Sequence, residues 1–216
     1  AKPYATLMTN DADKLLKPSM SSDNNKIFAG WFIDADGKTA FDFSKTVGEQ
    51  FASEPYVLYA KYASNSGSLP TTDGGNRASW ELTTDGTLRI SCVPGATIAD
   101  FGWINDFAAD NPSFLAMHWG PVRDKVKNVV MEKDLLAESM DFWFTDMSQL
   151  KDCSEVFVPE GVTSLHSCFK KTGIEAIPEG FVIPDTVENL HDCFFRCENL
   201  SKIAEDFTIP NSVTDM

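Results

Sequence analysis

The sequence has few cations, no long apolar run and no closely spaced pair of cysteines. Its 18 lysine and arginine residues are outnumbered by 32 aspartate and glutamate residues, which gives a formal net charge of −14. Because such a charge repels phosphate groups, we expect no nucleic-acid partner and no docking on anionic lipid. The apolar runs at 129–131 and 142–144 are far shorter than the roughly 20 residues that cross a bilayer, so no membrane insertion is expected.

The five cysteines are odd in number and include no Cys-x-x-Cys pair. This pattern argues against a zinc site and against a dedicated disulfide framework. The sequence begins with alanine rather than methionine and shows no apolar leader, which favours a processed chain or a fragment of a longer protein. The cysteines stand at positions 92, 153, 168, 193 and 197.

What the sequence does contain is enough apolar material for a packed core. Its 216 residues are 43% hydrophobic and 12% aromatic, which is typical of one or two globular domains. Gly, Ser, Asn and Thr dominate residues 63–76, and this composition is typical of flexible linkers. We therefore predict a first domain over 1–62, a linker over 63–78 and a second domain over 79–216.

In the first domain, apolar residues bounded by turn residues predict two strands. Residues 26–33 and 57–62 have strand character, and an Asp-Ala-Asp-Gly turn at 34–37 follows the first of them. No strand is recognised in residues 1–10.

The second domain is predicted to open with a hairpin. Residues 79–83 and 87–91 alternate apolar and polar side chains around Thr84-Asp85-Gly86, a strong short-range hairpin signal. Residues 126–131 return to strand character. Periodicity assigns no structure to the aromatic segment 101–121, which we expect to be a packed connector.

The chain repeats itself from residue 156 onward. Residues 156–169 recur as 181–194 and begin again at 207–216, and the corresponding prolines are 25 and 26 residues apart. A 25-residue period lies within the range of leucine-rich solenoids, in which each unit supplies a short strand and an irregular or helical return. We therefore predict a mainly β fold with short helical or irregular returns.

A single repeat cannot bury its own apolar face, so equivalent residues of successive copies are expected to stack. Because strand side chains alternate between two faces, the residue before each proline is expected inside and the one before that outside. The expected apolar columns are Val158/Ile183/Ile209, Val162/Val187/Val213 and Leu165/Leu190/Met216, and the expected outward column is Phe157/Val182/Thr208.

The first domain resembles the Listeria-Bacteroides repeat, also called the internalin B-repeat. The resemblance rests on Phe28-Ala29-Gly30-Trp31-Phe32, on the turn at 34–37 and on Val57-Leu58-Tyr59-Ala60-Lys61-Tyr62, which is similar to the LYAKW signature of that family. It implies a small β-grasp-like module.

The second domain resembles the BspA-like leucine-rich repeat proteins. Trp80-Glu81-Leu82 and Gly86-Thr87-Leu88-Arg89-Ile90 are similar to the hairpin that precedes their repeats. The repeated segments and Cys197-Glu198-Asn199-Leu200 are similar to the repeats themselves. This resemblance implies a right-handed leucine-rich repeat solenoid, here open-ended and truncated because the last copy is incomplete.

Two pairs of residues occupy the same register one repeat apart. Cys168 and Cys193 could approach within disulfide reach, but the expected role of each is that of a small buried hydrophobe. His166 and His191 are expected to stack in the same way. Such a pair could bind a metal weakly or respond to pH, although a solvated polar ladder is the more common outcome.

No other pattern indicates catalysis. Asp34-x-Asp36-Gly37 resembles half of a calcium loop but lacks the third ligand and the closing glutamate, so it is expected to be a turn. His118 lies near Arg123 and Asp124 in sequence, yet there is no nucleophile elbow of the G-x-S-x-G type. We expect a non-enzymatic protein with no cofactor and no metal.

Three functions fit these features. The first is a secreted or cell-surface bacterial adhesion protein that binds a host or neighbouring-cell protein through the outward column, with His166 and His191 as weaker candidates. The second is a structural stalk in a larger wall-attached protein. The third is a carbohydrate-binding accessory module that uses Trp103 or Trp119, with glycan as the partner.

Overall fold

The computed structural model of the protein describes residues 5–7, 26–36, 38–52, 56–100 and 118–216. The chain divides into two compact units, Ala1–Ser64 and Asn65–Met216. Regular structure in the described ranges is mainly β, with one short 3-10 helix. Within those ranges, no helix is long and apolar enough to cross a membrane.

The first unit contains a three-stranded antiparallel sheet. Its strands are β1 (Ala5–Leu7), β2 (Lys26–Phe32) and β3 (Tyr56–Ser64), in the order β1-β3-β2. The two strands predicted from the sequence are confirmed as β2 and β3. Strand β1 was missed because three residues are too few to show a strand period.

Aromatic residues form the core of this unit. Trp31, Phe41 and Leu58 are buried and contact each other across the sheet and the following loop. The Asp34 carboxylate accepts hydrogen bonds from the backbone N–H groups of Lys38 and Thr39, which closes the turn predicted after β2. Further partly buried residues surround this cluster: Phe28, Ile33, Phe43, Phe51 and Ala60.

The second unit begins with a four-stranded sheet of β4 (Ser66–Leu69), β5 (Ala78–Leu82), β6 (Thr87–Cys92) and β8 (Asn128–Met131), in the order β4-β5-β6-β8. The predicted hairpin is confirmed, because β5 (Ala78–Leu82) and β6 (Thr87–Cys92) pair antiparallel. Strand β8 then pairs parallel with β6, an arrangement that sequence alone did not indicate. The remaining elements of this unit before the repeats are β7 (Thr97–Ile98), the 3-10 helix Gly120–Lys125 and β9 (Leu136–Ala137).

The structure differs from the linker predicted over 63–78, since part of that stretch belongs to the sheet. Residues 66–69 are β4 and pair antiparallel with β5. Gly67 allows this pairing, because a Cβ there would lie 2.6 Å from Nε1 of Trp80. In the turn that follows, the Thr71 hydroxyl, the Arg77 guanidinium and a backbone N–H bind the Asp73 carboxylate, and these bonds lower its pKa to about 2.

Residues 139–214 form three successive repeats: repeat A (139–163), repeat B (164–188) and repeat C (189–214). Backbone hydrogen bonds join each repeat to the next at equivalent places. The N–H of Met140 donates to the carbonyl of Ser164 at 3.0 Å, and the N–H of Leu165 donates to that of Asn189 at 2.9 Å. Three further bonds between residues 24 apart follow at each junction, so equivalent residues lie side by side.

The predicted apolar columns are confirmed in repeats A and B. Val162 and Val187 have no exposed surface, and the other members of these two repeats are also buried. Beyond repeat B, Leu190 is also buried, whereas the members nearest the end of the chain are less covered, with Ile209 47% and Met216 73% exposed.

The predicted position of the repeat strands is wrong. The short parallel strands are β10 (Ala176–Ile177) and β11 (Lys202–Ile203), and isolated parallel bridges join Ser164, Asn189 and Asp215. The residues before the prolines are not in strands. The physical reason is that backbone hydrogen bonding between repeats occurs at the turns, while the segments before the prolines contribute side chains to the core.

A series of aromatic rings runs from β5 into the repeats. The Trp119 ring lies 6.3 Å from that of Trp80 and 5.7 Å from that of Trp143, and its Nε1 donates to the Trp143 carbonyl. Phe144 and Phe169 continue the series, with centroids 5.2 Å apart. Trp119 is therefore a core residue, 4% exposed, which corrects its proposed role in glycan binding. Trp103 lies outside the described residues.

Candidate functional site

The predicted outward column has unequal exposure. Val182 is 67% exposed and Thr208 is exposed, but Phe157 is half-buried. Repeat B lies between two other repeats, so Val182 is exposed on the side of the stack and not at one of its ends. We call the sides of repeats A, B and C the lateral surface. Val182 is thus the strongest contact candidate of the three.

The two repeat histidines stack as the sequence predicted. Their rings are 5.2 Å apart with an interplanar angle of 13°. Their exposure differs, because His166 is buried beneath the edge of the Phe142 ring, whereas the side chain of His191 is half-exposed and lies 3.4 Å from the Asp215 carboxylate. The pair forms one buried and one accessible imidazole rather than a solvated ladder.

Charged groups from all three repeats surround His166. Burial lowers its pKa, and the neighbouring His191 and Lys170 act in the same direction. Asp141, which accepts a hydrogen bond from the His166 backbone N–H at 2.8 Å, and Asp192 oppose that change. Burial raises the pKa of the Asp141 carboxyl itself.

Acid is expected to destabilise the repeats through His166. A buried imidazole with a lowered pKa binds fewer protons in the folded state, so stability is lost as the pH falls below the unfolded-state value of about 6.5. Asp141 acts in the opposite direction at lower pH, because its raised pKa lets the folded state protonate first. Thermal unfolding between pH 7.5 and 5 checks this expectation.

His166→Phe keeps a ring beside Phe142 and removes the titrating group, so this variant should lose less stability on acidification than the wild type. His191→Gln, at the half-exposed position, is the matched control. Equal pH dependence in wild type and His166→Phe would contradict the assignment.

The repeat cysteines are buried thiols rather than a disulfide. Cys168 and Cys193 are 0% and 3% exposed and are not bonded to each other. Burial raises the pKa of both thiols, which keeps them protonated and unreactive at neutral pH. The structure therefore agrees with their prediction as small buried hydrophobes.

A polar depression crosses all three repeats on the lateral surface; we call it the Gly173 notch. It encloses about 290 Å³. Lys171 and Arg196 occupy the same register in repeats B and C, and both have left-handed backbone angles, with φ 55° and 56°. The lining consists of Ser148, Lys171, Thr172, Gly173, Arg196, Glu198 and Asn199.

A second depression adjoins the notch at Asn199. It encloses about 420 Å³ beside β10 and β11. This depression has two basic and two acidic lining residues, and one of the basic residues, Lys151, pairs with Glu175 at 3.1 Å. The other lining residues are Asp152, Ala176, Pro178, Ser201 and Lys202.

Sequence reasoning missed the Gly173 notch, although a signal was present. Phe144, Phe169 and Phe194 are spaced 25 residues apart, whereas Leu150, Ile174 and Leu200 are spaced 24 and 26. Repeat B is therefore one residue short immediately before Ile174. Within the described residues, no group of three or more potential metal ligands is found.

Comparison with known proteins gives one similar solved structure. No family model matches the chain, and no curated protein sequence matches it. A leucine-rich repeat protein from Eubacterium ventriosum is 17% identical, with a TM-score of 0.29, and the match covers 63% of this chain. The chain spans 44% of that protein's length. A TM-score this low carries no argument about function.

The class of protein that these features define is a mainly β chain whose second unit ends in three hydrogen-bonded repeats. Its candidate sites are the exposed side chain of Val182 and the Gly173 notch, both on the repeats.

Proposed function

We propose that the protein is a non-enzymatic recognition protein that binds a protein partner through the lateral surface of its repeats. The observation that supports this is the register of repeats A, B and C. Because their hydrogen bonds place equivalent residues side by side, separate short segments build one continuous surface. In this proposal the repeats form a right-handed solenoid of the BspA-like type.

The first unit is proposed to be a β-grasp-like module of the Listeria-Bacteroides type that acts as a spacer. Its large aromatic side chains pack into a core around Trp31, as a spacer that must only stay folded requires. With the resemblances described above, this suggests a bacterial cell-surface or secreted adhesion protein.

A structural stalk is the main alternative. A stalk needs stacked repeats but no contact point for a partner, so in that alternative the exposed Val182 has no binding role. The glycan-binding alternative is weakened by the burial of Trp119, since stacking on a sugar requires an accessible ring face.

Val182→Asp is expected to reduce partner binding by about tenfold or more, because a charge replaces an apolar contact in the middle repeat. The fold should tolerate the change, since Val182 is 67% exposed. Phe157→Asp is a poorer test, because Phe157 is half-buried and the variant would lose stability as well.

The measurement is binding of the purified chain to a protein and glycan array, followed by titration of each reproducible ligand. Val93→Asp is the matched control, because Val93 is 48% exposed and lies outside the repeats. Binding that Val182→Asp abolishes and Val93→Asp preserves supports the proposal. A reproducible protein ligand bound equally by both variants contradicts the surface assignment, and the absence of any ligand favours the stalk.

A further inference from the structure

The Gly173 notch lies where the stretch from Phe169 to Ile174 in repeat B is one residue shorter than the equivalent stretches of repeats A and C. At that place the backbones of repeats A and B meet closely, because a Cβ on Gly173 would lie only 2.2 Å from the Ser148 carbonyl oxygen. The glycine N–H also donates to the Met147 carbonyl at 3.1 Å. Beside this close contact lies the depression, bordered by longer side chains from repeats B and C.

The notch is lined by two cationic residues from adjacent repeats, Lys171 and Arg196, together with the polar residues Ser148 and Asn199. The two cations differ in whether a carboxylate pairs with them. The Lys171 Nζ lies 3.7 Å from Asp146, whereas Arg196 forms no ion pair among the described residues and packs 5.4 Å over the Phe195 ring.

The notch is less acidic than the protein as a whole. The chain has a net charge of −14, whereas Lys171 and Arg196 in the notch face the carboxylates of Glu198 and, 3.7 Å from Lys171, Asp146. A planar guanidinium can bind a carboxylate through two parallel hydrogen bonds. Arg196 therefore brings to the notch a guanidinium with no ion pair among the described residues, whereas Lys171 is paired with Asp146 and Glu198 opposes anion binding.

We propose that the Gly173 notch receives a carboxylate side chain from an acidic segment of a protein partner. This inference rests on the proposed function, because it takes a protein as the partner of the repeats. A volume of about 290 Å³ is at the lower limit of ligand pockets, which suits one side chain rather than a whole ligand. The long-range field of the protein repels acidic peptides, so any binding must arise from these local contacts.

The probe is a capped hexaglutamate peptide, with capped hexaglutamine as its uncharged control, and affinity is measured by NMR titration of the full chain. Hexaglutamate should bind and hexaglutamine should not. Arg196→Gln should weaken hexaglutamate binding about tenfold, because a hydrogen-bonded charge pair is lost. Arg196→Lys should give an intermediate affinity, since lysine keeps the positive charge but cannot donate two parallel hydrogen bonds to one carboxylate.

Glu198→Gln is the sharpest variant, because it should strengthen hexaglutamate binding by about threefold as a like charge is removed. Lys202→Gln removes a cation from the adjoining depression and serves as the matched control, with little change expected. Equal affinity for the two peptides, or an affinity that Arg196→Gln leaves unchanged, overturns the proposal.

Two further outcomes also decide the question. If inorganic phosphate binds with the same dependence on Arg196 while hexaglutamate does not bind, the carboxylate assignment is wrong. If an array partner depends on Val182 but not on Arg196, the notch proposal fails and the proposed function stands.

Discussion

Phe169→Ala is expected to lower the free energy of unfolding by about 3–5 kcal/mol, which is the usual cost of removing a fully buried phenylalanine. The Phe169 side chain has no exposed surface. Its ring stacks on that of Phe194 at 5.4 Å and contacts those of Phe144 and Phe181. The alanine would leave a cavity at the centre of repeats A, B and C, where rings from all three repeats meet.

Urea unfolding of the wild type and the variant gives the difference directly. Phe195→Ala is the matched control, because Phe195 is 46% exposed and its removal should cost about 1 kcal/mol or less. Phe169→Leu, which conserves most of the volume, should lie between the two. A loss in Phe169→Ala no larger than that in Phe195→Ala would mean that the ring series does not hold the repeats together.

Gly173→Ala is the second substitution with a large expected effect, a loss of about 3 kcal/mol. The new Cβ would lie 2.2 Å from the Ser148 carbonyl oxygen and 3.1 Å from that of Leu150. Both contacts are with backbone atoms, which cannot rotate away as a flexible side chain could. Relief therefore requires the backbones of repeats A and B to separate, which strains the neighbouring hydrogen bonds.

Gly161→Ala separates steric overlap from backbone strain. Gly161 has a φ of +93° but open space around its Cβ position, so alanine there should cost only the conformational penalty of about 1–2 kcal/mol. Thermal and urea unfolding of the two variants compare the effects. If Gly161→Ala were as destabilising as Gly173→Ala, close packing of repeats A and B at the notch would not be the cause.

The sequence predicted those elements in which a local pattern carries the information. The hairpin of β5 and β6 follows from alternation around Asp85-Gly86, because such a turn is favoured by its own backbone angles. The buried columns follow from the repeat period, since equivalent apolar residues such as Val162 and Val187 can be buried only against each other. The stacking of His166 on His191 follows from the same register.

Other features depend on partners that are distant in sequence. Strand β4 has the composition of a linker, and only Trp80, which packs against Gly67, shows why a glycine belongs in that strand. Strand β8 pairs with β6 across a connection of more than thirty residues, a choice that no short window can indicate. The placement of the repeat strands was likewise decided by which backbone groups find partners in the next repeat.

The sequence by itself determined that this is an acidic, mainly β protein with a 25-residue repeat, because composition and period are properties of the chain alone. Only the tertiary structure decided that His166 is buried and His191 accessible, and that Lys171 and Arg196 border one notch. Burial and proximity arise when repeats pack on each other, and a shift of a single residue before Ile174 changes which groups meet.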